Sequence, residues 1–405
     1  MHALLLMAAV LSADSTEAWP AFRGDGDSLA IGLDLPQTWS ATENIAWSID
    51  LQGYGQSSPI IWGDSVLVTS VDGEMKDKLL VACHDLATGE RRWLHEAAGT
   101  QKVKSSEYVS RGAPTPAVDN AGVYAFFESG DLIALDHAGK SRWTRSLVKD
   151  YGEFQGNHGI GTSVVQTSDA IILLIDHAGP SYLIAFSKST GETLWKVDRE
   201  SRVSWSTPLI LSPQDKAAEI VLSSNGLVEG YRAADGQRLW WLGDLKGNTV
   251  ASPTAGGGFV VVGSSAPGQS LALRRGEEGE LGESAVVWRT ETATSSFASP
   301  LVHQDYVYFV SKAGLVFCLD AKTGKEQWNA RLGGSCWASP IGADERVYFF
   351  LTTGETVVMR AGGGEPVELA RNTLPDLDKV YGVALAPRKI IVRGGSKMVA
   401  IRAAD

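Results

Sequence analysis

A chain of 405 residues, with 44 Gly, 13 Trp and no Pro/Ser-rich linker or charge block dividing it, points to one large repetitive domain. Its net charge is -11, acidic and basic residues are interspersed, and no basic run exceeds the pairs at 91–92 and 274–275, which argues against nucleic acid as a partner. Cys83, Cys318 and Cys336 are too sparse for a disulfide framework and fit no zinc spacing, so each is read as a small hydrophobe in a strand.

From the start, Met1 and His2 lead into an apolar run, Ala3 to Leu11, and then Thr16-Glu17-Ala18, the pattern of a secretory signal peptide over residues 1–18. Nine apolar residues cannot cross a bilayer, so no transmembrane segment is expected. Residues 19–405 then form one exported domain, periplasmic or extracellular, and a monomer. The lack of Lys or Arg near the start leaves open a cytosolic protein with a disordered apolar leader.

Further on, Ser58-Pro59, Thr115-Pro116, Thr207-Pro208, Ser252-Pro253, Ser299-Pro300 and Ser339-Pro340 each open a short apolar strand. Thr162 to Val165 and Gly382 to Ala386 take the same place without Pro. Since Pro cannot donate to a ladder, each of these eight strands should be the edge of a small sheet.

A second marker runs out of phase with the first: DLATGERRW at 85–93, SKSTGETLW at 187–195, RAADGQRLW at 232–240 and DAKTGKEQW at 320–328. It reads as a strand, a tight turn with Gly89, Gly191, Gly236 or Gly324 in a left-handed conformation, and a strand carrying Trp. Trp93, Trp143, Trp195, Trp240, Trp288 and Trp328 mark six units, and the seventh, around Val367 to Leu369, has lost its Trp. The eighth runs out at Asp405, and Asn44 to Asp50, with Trp47, has the pattern of its missing strand. The fold class is therefore all-β: an eight-bladed β-propeller, four antiparallel strands per blade, the last closed by the N-terminal strand. Each Trp buries about 200 Å² between blades, an upper bound of roughly 5 kcal/mol.

The Asp-x-x-Thr-Gly-x-x-x-Trp turns, the Ser-Pro strands and the Gly-x-Leu-x-x-Leu-Asp strands at 130–136 and 314–320 resemble the repeats of the pyrroloquinoline quinone (PQQ) propeller family, over roughly residues 40–402. Residues 19–24, Trp-Pro-Ala-Phe-Arg-Gly, resemble the start of exported PQQ-like propellers of planctomycete-type bacteria. The resemblance implies one of two classes. In quinoprotein dehydrogenases PQQ sits with calcium over the channel; propellers resembling the BamB lipoprotein bind other proteins without catalysis. The chain lacks the adjacent Cys pair and long lid insertions of many of the former and the lipidated Cys of the latter, so neither activity transfers with the fold.

In such a propeller the loops from the fourth strand to the next blade's first strand meet at one mouth. They contribute Tyr54, Gln56, Glu107, Arg111, Asn157, His158, Trp205, Phe297, Trp337 and Tyr381. This set suits an anionic or planar ligand, with Arg111 as a bidentate donor and Trp205 or Trp337 as a stacking face. The alternatives are a plugged channel whose polar groups satisfy one another and a mouth that binds peptide or protein.

No catalytic or metal-binding residue is nominated. Asp136-His137-Ala138-Gly139 and Asp176-His177-Ala178-Gly179 occupy different places in their blades, and no Gly-x-Ser-x-Gly elbow occurs. Gly256 to Gly258 read as a hairpin turn, and Glu277 to Glu283 as a solvated extended turn. The expectation is a non-catalytic exported scaffold with no cofactor, its partners other envelope proteins or a small anionic or planar ligand. The alternative is a PQQ-dependent dehydrogenase acting on an alcohol or aldose, with Glu107 and Asn157 near calcium and Arg111 at the quinone. A free-standing relative of sensor ectodomains is a third reading.

Overall fold

The computed structural model describes residues 18–103, 110–212, 217–374, 376–377 and 379–404. The leader read over residues 1–18 therefore lies, apart from Ala18, outside the described residues, and so does Glu107.

Each Ser/Thr-Pro mark opens a three-residue strand A: Ile60–Trp62, Ala117–Asp119, Leu209–Leu211, Thr254–Gly256, Leu301–His303 and Ile341–Ala343 open blades 1, 2, 4, 5, 6 and 7. The positions without Pro, Val165–Gln166 and Gly382–Ala386, open blades 3 and 8. Strands B, C and D follow by antiparallel hairpins, as in blade 6 with Tyr306–Val310, Leu315–Asp320 and Glu326–Arg331. Eight sheets result. In the eighth, Ile45–Asp50 pairs with Lys397–Arg402 as strand D, so the N-terminal strand closes the ring as the pattern requires.

Three expectations are corrected. Strand A is an edge in seven sheets, but in blade 1 Ala18–Trp19 adds outside Ile60–Trp62. The acidic segment is not merely a turn: Gly279–Glu280 pairs in parallel with Trp240 and Trp241 as a fifth strand on blade 4. Cys336 sits in a single bridge to Leu351 instead of a strand, although all three cysteines are free and buried as expected. Helix Leu147–Tyr151, whose N-cap Ser146 accepts from the Lys149 amide, also has no counterpart in the repeat.

Two devices join neighbouring blades. Outside, every strand-D indole except that of Trp240 lies on the turn of the next blade. A Cβ at Gly324 would stand 2.6 Å from the Trp288 ring, and Gly324 has φ +68, so this glycine supplies both the turn and the indole's bed. The indole N–H of Trp47, Trp93, Trp143, Trp195, Trp288 and Trp328 donates to a carbonyl of that turn at 2.8–3.1 Å. Trp240 faces blade 5, whose turn is the long insertion, and donates instead to Glu219 Oε1 of its own blade at 2.5 Å.

Inside, around the channel, the hydroxyl of the Ser/Thr mark accepts from the backbone N–H of the same mark in the preceding blade. The chain of bonds runs from Ser58 to Thr115, Ser163, Thr207, Ser252, Ser299 and Ser339, each at 2.9–3.1 Å. Between the two devices the apolar core is divided into clusters drawn from adjacent blades, such as Val118, Phe127 and Ile133 of blade 2 with Leu67, Val81 and Cys83 of blade 1.

Candidate functional site

The loops running from strand D to strand A do meet at one end of the channel, and they bring together most of the residues read from the sequence. Phe297 packs on Trp337 with ring centroids 5.3 Å apart, Trp337 on Tyr381 at 5.6 Å, and Tyr381 on Tyr54 at 6.2 Å. The hydroxyls of Tyr54 and Tyr381 are 2.7 Å apart, and the Arg111 guanidinium lies 3.8 Å over the Tyr54 ring. Gln56 fixes this end of the arc: its Oε1 accepts from Arg111 N at 2.9 Å, and its own N–H donates to Arg111 O at 3.0 Å. The rings are tilted by 40° to 75° and touch one another, so they form a continuous rim without a parallel slot between faces. Lys379 Nζ stands 5.0 Å over Trp337 and Lys312 Nζ 6.0 Å over Phe297.

His158 and Trp205 make a separate pair, edge to face at 5.8 Å, with Trp205 Nε1 donating to Gly159 O. Asn157 is exposed and makes no hydrogen bond or ring contact among the described residues.

What positions Arg111 was not legible. Lys76, in the turn between strands B and C of blade 1, is buried against Glu128 of blade 2 at 3.1 Å, each side chain 1% exposed. Lys76 also donates to Ser110 O, and Glu128 Oε1 accepts from Gly112 N at 2.8 Å, so this ion pair grips the backbone on both sides of Arg111. Interspersed charge in the sequence gave no sign of it; its only signal is Lys76 at φ +53, a feature of the fold.

The opposite end of the channel is crossed by the segment that follows Ala18. Arg23, 4% exposed, donates to Ser28 Oγ, Pro253 O, Thr254 Oγ1 and Pro300 O, reaching blades 5 and 6. Pro20 O accepts from Val118 N of blade 2, and Ser28 and Ala30 pair with Gly342 of blade 7. The segment that resembled a family signature is thus a floor built across the ring.

Neither histidine motif converges. His137 is exposed and stacks near Trp62, while His177 is buried, its Nδ1 accepting from Gln155 N and Gly179 N. Burial holds His177 below its ordinary pKa. Among the described residues no three of His, Cys, Asp and Glu gather as a metal requires.

The family model for the outer membrane protein assembly factor BamB matches residues 25–157, 158–286 and 282–404. An outer membrane protein assembly factor BamB of Burkholderia pseudomallei is 27% identical over 241 residues, 59% of this chain and 56% of that protein. The one of Moranella endobia is 25% identical over 233 residues, 54% and 57% respectively. The match thus spans little more than half the length of these relatives. Among solved structures, BamB from Moraxella catarrhalis superposes with TM-score 0.63 at 15% identity, covering 88% of this chain and 97% of that one. A quinohemoprotein alcohol dehydrogenase from Pseudomonas putida HK5 gives 0.61 at 10% identity, covering 93% and 80%. At such identities these structures establish the fold alone.

Proposed function

The chain belongs to the family of the outer membrane protein assembly factor BamB, and from that membership we propose that it is an exported, single-domain scaffold over residues 19–405 that holds other envelope proteins at its channel mouth without catalysing a reaction. The observation that carries this reading is the rim Phe297, Trp337, Tyr381, Tyr54 and Arg111. Half-buried aromatic side chains beside a guanidinium, on a rigid ring, are the residue types that dominate binding energy at protein interfaces. The protein acts as a monomer, in the periplasm or outside the cell.

The second reading, a PQQ-dependent dehydrogenase, draws on the dehydrogenase among the structural neighbours. The residues described do not favour the cofactor. Asn157 is exposed, Arg111 is stacked on Tyr54, and the tilted rings offer no flat slot for a planar tricycle.

The test places a photo-crosslinking residue at Phe297 and, separately, at Ile31, an exposed position near the opposite end. A discrete adduct with an envelope protein from position 297 only, abolished by Trp337→Ala with Arg111→Ala, is expected. Stoichiometric calorimetric binding of PQQ with calcium, lost in Arg111→Ala, would overturn the scaffold reading in favour of the enzyme.

A further inference from the structure

The floor of the channel is incomplete on one side. As the segment from Ala18 to Leu33 crosses the ring it pairs with or bonds to successive blades: Ala18 and Trp19 with Ile61 and Trp62 of blade 1, Pro20 with Val118 of blade 2, Arg23 with blades 5 and 6, Ser28 and Ala30 with Gly342 of blade 7, and Leu33 with Arg388 of blade 8. Blades 3 and 4 receive no such bond: among the described residues nothing in the segment donates to or accepts from Val165–Gln166 or Leu209–Leu211. Both are edge strands, so every second residue turns its N–H and C=O away from its own sheet.

At that place lies a cleft of about 320 Å³, between Phe22 and Gly24 of the segment and Val165, Gln166, Leu209 and Ile210 of the two open edges. Its walls are mostly apolar. One polar atom on them is unsatisfied: Gln166 Nε2 donates to Val118 O at 3.0 Å, which fixes the orientation of the amide, and Gln166 Oε1 is then buried without a donor. An acceptor in want of an N–H, beside a strand edge in want of a partner, defines what is missing.

We propose that this cleft is a binding site for a short, neutral, extended peptide segment with small apolar side chains, which adds as a strand to Leu209–Leu211 and donates an amide N–H to Gln166 Oε1. The chain itself shows the mode, because Ala18–Trp19 does the same to strand A of blade 1. The volume is at the lower end of the about 300–1,000 Å³ common for ligand pockets, which limits the bound part to a few residues. The site is at the other end of the channel from the aromatic rim, so it stands or falls independently of the scaffold reading.

The experiment uses the full chain with labelled methyl groups and the probe acetyl-Val-Ala-Val-Ala-amide, beside an analogue N-methylated at alternate residues. Saturable shifts of the Val165, Leu209 and Ile210 methyls are expected with the probe, at least tenfold weaker with the analogue, and weaker in Gln166→Leu. The proposal is overturned by the absence of shifts at millimolar probe, or by equal binding of the N-methylated analogue, which would mean that apolar contact without strand pairing accounts for it. The comparison of two peptides on unaltered protein keeps the test valid even where Gln166→Leu folds poorly.

Discussion

Six seams between neighbouring blades follow one rule on their inner side, and the two that flank the last blade do not. From blade 1 to blade 7 a Ser/Thr hydroxyl accepts from the previous blade's N–H. Blade 8 has Gly382 at the hydroxyl position, and the chain of bonds stops at Ser339. At the seam between blades 8 and 1 the inner contact is made by Arg393, fully buried, which donates to Ser57 O and Oγ, Thr69 O, Ser70 Oγ and Gly395 O. Its partners include no carboxylate. Burial works against its charge, and five neutral oxygens with good geometry offset that cost. On the outer side the same seam keeps the common rule, with Trp47 over Gly89 and bonded to Leu86 O. On the outer side six seams are made by an indole bonded to the next blade's turn, whereas on the inner side unrelated side chains serve, a hydroxyl at six seams and the Arg393 guanidinium at the closing one.

The difference is sharpened most by removing its centre. Arg393→Ala leaves a large cavity and several orphaned acceptors, and the loss expected in urea unfolding is about 3–5 kcal/mol; a loss no greater than that of an exposed Arg would break the contrast. Trp288→Ala, at a regular seam, should cost about 3–4 kcal/mol by the same measurement, from lost packing and one lost hydrogen bond. Gly382→Ser tests whether the common rule can be restored in blade 8. A Cβ there would stand 2.0 Å from Ser58 Oγ, so the substitution should destabilise by about 1–3 kcal/mol instead of adding a bond. A stabilised variant would show that the glycine is not there for close approach.

At a regular seam Ser252→Ala leaves the Thr207 N–H buried without an acceptor, for a loss of about 1–2 kcal/mol in thermal unfolding. The smallest effect concerns pH. His84, at the closing seam, donates through Nδ1 to Gly89 O, while its Nε2 is buried and unpartnered. Burial, helped by Arg91 and Arg393, holds it below its ordinary value. The unfolded chain therefore takes up this proton first as pH falls below about 6.5, so the stability present at neutral pH declines towards pH 5. His84→Gln should flatten that decline slightly in melts at pH 7 and 5; an unchanged slope would assign it to His177 and His303, which burial shifts the same way.

The ring, its eight blades and its closing strand were legible because each is written as a local period: Pro at strand starts, Gly in the turn, Trp in strand D. The hydroxyls of the Ser/Thr marks were visible too, but the role read from the marks rested on Pro, and blade 3 shows the hydroxyl bond persisting where Pro is absent, with Ser163 before Val164. The rim was partly legible, since its members share one place in the repeat. Which rings touch, and the separation of His158 and Trp205 from the rest, depend on loop lengths that carry no period. Arg23, Arg393 and the Lys76–Glu128 pair were illegible for a different reason: a charged residue is ordinarily a surface residue, and nothing in its sequence neighbours announces burial.

The pairing of Ile45–Asp50 with Lys397–Arg402 has a consequence in time. A strand that precedes all the repeat strands of blades 1 to 7 is paired with one that follows them, so blade 8 cannot form until both have been made, and its closure spans the longest stretch of chain joining paired strands in any of the eight sheets. The other seven blades draw their four repeat strands from one continuous stretch of chain, so the eighth alone waits for two distant stretches to meet.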